Sequence, residues 1–360
     1  MSNVLGKNLT LALFGESHGP FVGATLDGLP SGIEVSEEAI ALELSLRRPA
    51  MLGETPRVEN DAFQIVSGVY RGMTTGAPLT ILIPNVNVHS QDYESSCRAF
   101  RPNHADYVAN VKYQGREDPR GGGHFSGRIT AAIVACGAIV KGYLCSKGIR
   151  VASHILAIDS ITDEPFNPVS PEAQMERLSL RGFPTISEQA EIEIRALLEE
   201  VASQSDSIGG KIETAITGLP VGIGEPWFGR FDGVLCNAIM SIGGVRGVVF
   251  GDIDANSSWR GSQFNDAFVS TENGVKTTSN HSGGVQGGIT NGMPVVFHAF
   301  VKPTPSIGTA QSTINEKGEN VEFRVNGRHD PCFLRRIVPV INALTSIVVF
   351  DFLLGEYGRH

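Results

Sequence analysis

The residues best equipped for chemistry in this chain lie in short segments flanked by glycine or proline. Gly15-Glu16-Ser17-His18-Gly19 sets an imidazole in a glycine turn after a strand-like run. From there it can present its ring to a pocket and give a proton to a leaving group at neutral pH. A hydrogen-bonded loop histidine is the plainer alternative. Phe100-Arg101-Pro102-Asn103-His104-Ala105-Asp106-Tyr107 adds a second histidine, with Asp106 able to orient an imidazole. An Arg–Asp pair supporting a turn would use the same residues. Arg120-Gly121-Gly122-Gly123-His124-Phe125-Ser126-Gly127-Arg128 opens a long apolar helical pattern. Glycine-rich backbone at a helix start offers free N–H groups to an anion, and Arg120 and Arg128 add charge of the right sign. The alternative is a flexible turn with Ser126 as cap. Lys302-Pro303-Thr304-Pro305-Ser306 and Gly327-Arg328-His329-Asp330-Pro331-Cys332 each place a cation beside short polar groups, as a phosphate or flavin site requires.

Other motifs carry less. His281, inside Asn280-His281-Ser282-Gly283-Gly284-Val285-Gln286-Gly287-Gly288, reads as structural, the glycines letting backbone approach a ligand. His89, His154, His298 and His360 receive no role. No histidine has metal-ligand spacing, so no metal is expected. No segment matches G-x-G-x-x-G after a strand, and Gly210-Lys211 is followed by Ile212 instead of Ser or Thr.

Several elements must position these loops. Leu9, Leu11 and Leu13, then Val22, Ala24 and Leu26, alternate as two strands around the His18 turn. Ser36 caps a helix with Glu37 and Glu38 in its first turn; the helix runs to Arg47-Arg48 and stops at Pro49. Strand-like runs cover 64–70 and 78–84. The clearest helix covers about 127–147 with Gly148 as its stop, and Ser187–Val201 reads as an acid-rich surface helix. The Pro-, Ser- and Thr-rich stretch 159–186 reads as a surface excursion, and 337–350 as a buried helix too short to span a bilayer. No linker or fixed-period repeat divides the chain. The expectation is one large compact α+β domain over 1–360, not a doubly wound parallel sheet.

Composition bounds the function. With 41% hydrophobic and 19% charged residues in 360, the chain can bury a sizeable core. A net charge of −9 argues against general nucleic-acid binding, while leaving room for a basic pocket. The 42 glycines bunch in the segments above instead of forming a linker. Five cysteines show no C-x-x-C pair, and Cys136 and Cys145 fall in an apolar helical pattern as core residues. The first residues lack an apolar targeting stretch, so a cytoplasmic protein without membrane association is expected.

Taken together, GESHG, RPNHADY, RGGGHFSGR, NHSGGVQGG, KPTPSI and GRHDPC resemble, in order and approximate spacing, the chorismate synthase family. Ser67-Gly68-Val69 with Thr75-Gly76-Ala77-Pro78, Ser90-Gln91-Asp92-Tyr93 and Arg260-Gly261-Ser262-Gln263 extend the likeness over essentially the whole chain. The resemblance implies a sandwich of sheets and helices assembled as a homotetramer. It implies a lyase that converts 5-enolpyruvylshikimate 3-phosphate to chorismate and phosphate by 1,4-trans elimination, without net redox change. It also implies a need for reduced FMN, supplied by an external NAD(P)H-dependent source. By the same resemblance, His18 faces the substrate phosphate, His104 the pyrimidine side of the flavin and Asp330 its N5, with Ser17 and Ser126 in support. Arg47, Arg48, Arg120 and Arg128 would clamp the substrate. His124, Phe125, Ser126, Gly243, Gly244, Gly287, Lys302, Pro303, Thr304, Pro305, Ser306 and Arg328 match cofactor-contacting positions.

The chain departs from the family pattern in four places. Gly53 and His124 stand where arginines are usual, Asn103 replaces the glycine of RPGHAD, and Ile341-Asn342 replace a glutamate–alanine pair. Fewer cations would weaken binding of a phosphorylated dicarboxylate, since charged hydrogen bonds contribute about 1.5–3 kcal/mol each. A divergent flavin- or anion-binding paralogue of the same fold, non-catalytic or weakly active, is the alternative reading.

Overall fold

A computed structural model describes residues 3–49, 61–86, 98–252, 255–272, 274–325 and 330–357. Its helices are α1 (Glu37–Arg47), α2 (Asp106–Tyr113), α3 (Thr130–Ser146), α4 (Glu172–Ser179), α5 (Glu188–Ser203), α6 (Phe231–Met240), α7 (Ala255–Ser258), α8 (Gly261–Phe264) and α9 (Leu334–Tyr357). One five-stranded sheet runs in the order Val4–Leu5, Thr10–Gly15, Phe21–Asp27, Leu79–Pro84, Gln64–Ser67. A second runs Val245–Phe250, Val295–Val301, Gly210–Thr217, Arg150–Ile158, Ile161–Thr162. Every described pairing in both sheets is antiparallel, as the expectation of an α+β fold required.

Helices α3 and α9 form the layer between the sheets. Helix α3 packs on Phe21–Asp27 and Leu79–Pro84, α9 packs on Arg150–Ile158 and Gly210–Thr217, and α3 and α9 pack on each other. That burial explains why α3 is apolar almost all round: Ala131 to Val140 are buried without a break. The two helices cross closely at Gly137, where an added Cβ would lie 2.3 Å from that of Ala343. Ser36 caps α1 as its sequence suggested, accepting from the Ala39 amide at 3.1 Å.

Three readings change. The last helix spans 24 residues, well beyond 337–350. It and 127–146 are long and apolar enough to cross a membrane by length and composition, yet 83% and 67% of their most apolar windows are buried inside this fold. Cys145 is exposed, whereas Cys136 is buried as expected. The 159–186 excursion is a cover as well as a surface: Phe166, Met175 and Ile186 cluster with Ala215 and Val296 on the outer face of the second sheet. Beneath it, His154, Glu213 and His298 sit opposite one another on adjacent strands. His154 bonds Asp163 and Glu213, each at 2.9 Å, and His298 reaches Glu213 at 3.1 Å. Asn342 is half-buried, its Oδ1 accepting from Ser153 Oγ at 2.6 Å where α9 meets that sheet.

Candidate active site

The glycine run is the centre of the candidate site, for a reason other than the one expected. Helix α3 begins only at Thr130, after a turn at Gly127–Ile129 capped by Ser126, so the glycines are not its N-terminus. Instead Gly121, Gly122 and Gly123 all take positive φ, a conformation that favours glycine. The turn they make is threaded between two histidines. An added Cβ at Gly121 would lie 2.3 Å from His18 Cε1, and one at Gly122 would lie 3.4 Å from His104 Cε1. Ser17 is buried and its amide donates to Gly123 at 3.1 Å, which ties the His18 loop to the same turn. Segments distant in sequence therefore bring two imidazoles to one place.

Each histidine has a defined setting. His104 Nδ1 lies 2.7 Å from Asp106 Oδ1. Burial would raise the Asp106 carboxyl, but hydrogen bonds from Arg101 and His104 overcome this and hold it far below the usual carboxylate range. Arg101 is forked on Asp106 at 2.7 and 2.8 Å and reaches Ser306 Oγ at 3.5 Å. The plain reading of an Arg–Asp pair and the functional one of an oriented imidazole are thus both present. His18 is buried, with Asp118 near enough to feel its charge. Arg120 is forked on Asp118 at 2.9 and 2.8 Å, and this hydrogen-bonded pairing lowers the carboxyl and raises the guanidinium.

The C-terminal segments join the same site. Lys302 Nζ donates to the Asn103 carbonyl at 2.6 Å, and its amide donates to Gly244 at 2.9 Å. Burial and the neighbouring Arg246 both lower the Lys302 ammonium. The Thr304 hydroxyl oxygen is buried and has no hydrogen-bond partner among the described residues. Ser207 donates to the Thr304 carbonyl, and the next amide, Ile208, donates to Pro331 beside Asp330. Asp330 pairs with Arg336 at 2.5 Å, and Arg336 Nε donates to the Arg47 carbonyl at 3.1 Å.

The arginine run completes a circuit. Asp61 is buried among Arg47 at 3.4 Å, Arg48 at 3.9 Å and Arg128. Arg47 also donates to Thr130 Oγ1 and the Gly127 carbonyl, at 3.1 and 2.9 Å. Arg128 donates to Asn85 Oδ1 at 2.9 Å and the Pro84 carbonyl at 3.1 Å. Asn85 in turn binds the loop that carries His18. Contacts and chain neighbours together link His18 through the glycine turn to His104, Ser306, Thr304, Asp330, Arg47 and Arg128, and back to the His18 loop.

Not every expected residue joins in the same way. Arg47 and Arg128 are buried and direct their guanidinium groups at protein acceptors, while Arg48, Arg120 and Arg336 keep more exposure. His124 Nδ1 donates to the Gly15 carbonyl at 2.8 Å and so anchors the strand end before His18. Phe125 is exposed beside Tyr113, Pro303 and Gly243 are exposed, and Pro305 is half-buried. Gly287 lies in a turn bonded to Gly222, Ile223 and Phe231, at the opposite end of strand Val295–Val301 from Lys302. Arg328 and Gly53 lie outside the described residues. Asp61, Asn85, Asp118 and Arg336 were missed by sequence reasoning. Only Arg336 left a signal: two arginines in the first turn of a helix oppose its dipole and so imply partners.

The family described as chorismate synthase matches residues 9–354. The chorismate synthase of Porphyromonas gingivalis is 42% identical over 99% of this chain and 97% of its own length. That of Dehalococcoides mccartyi is 41% identical over 98% and 97%. A crystal structure of chorismate synthase superposes with a TM-score of 0.78 at 29% identity, covering 98% of this chain and 94% of that one. The chain therefore belongs to the chorismate synthase family, the FMN-dependent lyases of the shikimate pathway that convert 5-enolpyruvylshikimate 3-phosphate to chorismate and phosphate.

Proposed function

We propose that the elimination takes place inside the circuit around the glycine turn, carried out by His18, His104 and Asp330. The observation that carries this reading is the packing of Gly121 on His18 and of Gly122 on His104. The donor set also suits FMN: a buried Thr304 hydroxyl in need of a partner, the Lys302 and Arg246 cations, and the Ser306 and Arg101 donors match a phosphate and a polyol. Lys302, Thr304, Ser306 and the Gly243-Gly244 turn would hold it. When bound and reduced it supplies transient electron density that eases the loss of phosphate.

The protein's own groups divide the remaining work. His18, buried against Gly121, stabilises or protonates the departing phosphate. Asp106 fixes His104 through Nδ1 and leaves Nε2 directed at the Gly122 side. Asp330, held by Arg336, assists removal of the ring proton. Arg48, Arg120 and Arg336 meet the substrate's phosphate and carboxylates, and Arg47 and Arg128 hold that surface together from beneath. Residues 1–360 act as one domain, in the cytoplasm, as a homotetramer, with flavin reduced by an external NAD(P)H-dependent source.

Purified protein given reduced FMN and 5-enolpyruvylshikimate 3-phosphate without oxygen should release phosphate and form chorismate in equal amounts. Tight FMN binding with no turnover would instead indicate a binding paralogue. NADPH consumption in step with product, without an added reductase, would contradict the external source.

A further inference from the structure

We infer that Asn85 is a positioning residue for His18, acting through the backbone of the Glu16–Gly19 loop. Asn85 directly follows strand Leu79–Pro84. Its side-chain amide nitrogen donates to the Glu16 carbonyl at 3.0 Å and the Gly19 carbonyl at 2.8 Å, the two carbonyls that bracket Ser17 and His18. Its backbone amide adds a third tie, to the Pro20 carbonyl at 3.1 Å. The orientation of the amide is not arbitrary. Arg128 Nε donates to Oδ1 at 2.9 Å, and a guanidinium can only donate, so the NH2 end must face the loop.

Arg128 is itself held by Asp61 and by the Pro84 carbonyl. Asp61 gathers Arg47 and Arg48 as well. The ion cluster thus ends in a neutral amide that clamps the loop, while Gly121 packs against the His18 ring. This accounts for Arg128 being buried beneath the site. Fixing a reacting group is worth much in rate, because a displacement of 1 Å can cost about a hundredfold.

The inference rests on the reading of His18 given above, and Asn85→Asp tests it. This change keeps the acceptor for Arg128 and turns the donor end into an oxygen facing two carbonyls. Turnover should fall about 10- to 100-fold, with KM and FMN affinity within twofold of wild type and the pH–rate profile displaced. Without cofactor or substrate, the His18 Cε1–H NMR signal, assigned by its loss in His18→Gln, should move or broaden. An unchanged signal with unchanged turnover would overturn the inference. Loss of FMN binding and of cooperative melting in both Asn85→Asp and Asn85→Ala would also overturn it, by making Asn85 a support of the fold. Asn85→Ala serves if Asn85→Asp does not fold, and failure of both has the same meaning. Should the wild type show no turnover, the proposed function fails while the NMR comparison still decides this inference.

Discussion

At the scale of single residues, the site depends on charges held in place by partners. Asp106 stays ionised because Arg101, Arg98 and His104 surround it, and this fixes the tautomer and angle of His104. Removing a positioned acid or base costs about 10²- to 10⁴-fold in rate. His104→Ala and Asp330→Ala should lose turnover within that range while melting cooperatively, and unchanged rates would remove the roles assigned to them. Asn103 shows how a departure from the family pattern can be harmless. Its φ is 55°, in the left-handed region, and asparagine tolerates that region better than other side chains. Asn103→Gly should therefore leave stability and KM for the substrate nearly unchanged. Asn103→Val should lower stability by about 1–3 kcal/mol, as expected for a strained backbone, measured by urea denaturation.

At the scale of elements, the site is built where ends meet. The last turn of α1 carries Arg47, Arg48 follows as its cap, and the first turn of α9 supplies two cations to the terminal carbonyls. Arg335 donates to Leu46 and Arg48, and Arg336 to Arg47. This arrangement satisfies carbonyls that a helix end leaves open, and it fixes the direction in which the arginine run leaves α1. The glycine turn is the other such junction. Gly121→Ala combines a φ of 60° with a Cβ set 2.3 Å from the His18 ring, so the ring must be displaced. Turnover should drop by about a hundredfold while far-ultraviolet circular dichroism stays that of the wild type. Retained activity would show that the His18 ring position is not required.

At the scale of the whole molecule, the second sheet carries a buried charge network beneath 159–186. Burial opposes ionisation of Glu213, but hydrogen bonds from His154 and His298 prevail and lower it from 4.5 to about 2. Burial also opposes protonation of His154, and Asp163 and Glu213 raise it above 6.5 nonetheless. A depressed carboxyl contributes stability above its unfolded value and loses it as pH falls towards the folded one. A raised imidazole contributes fully below its unfolded value and loses it as pH rises through the folded one. Stability should therefore be greatest between about 4.5 and 6.5 on account of this network, decline towards pH 2, and decline again on the alkaline side. Glu213→Gln should flatten that profile and cost about 3–5 kcal/mol, since one partner of a buried ionic network is lost. Denaturation midpoints across pH would show both effects.

Much of this protein is legible from its residues in order. Alternation of apolar residues located the strands around His18, and Ser36, Gly148 and Ser187 marked helix ends, because these signals act between near neighbours. The histidines and the glycine run announced themselves because each type is unusual where it stands. What the order of residues could not disclose was which arginines face inward. Arg47 and Arg48 are adjacent and chemically alike, yet only the first is buried, a difference created by Asp61, Thr130 and Gly127 arriving from elsewhere in the chain. Nor could it reveal that 159–186 covers a buried network, since His154, Glu213 and His298 become neighbours only through strand pairing. Local sequence determined the elements and the chemically able residues, because those depend on side chains a few positions apart. Tertiary structure alone decided which charges are supports and which are exposed, because burial and pairing depend on groups that only folding brings together.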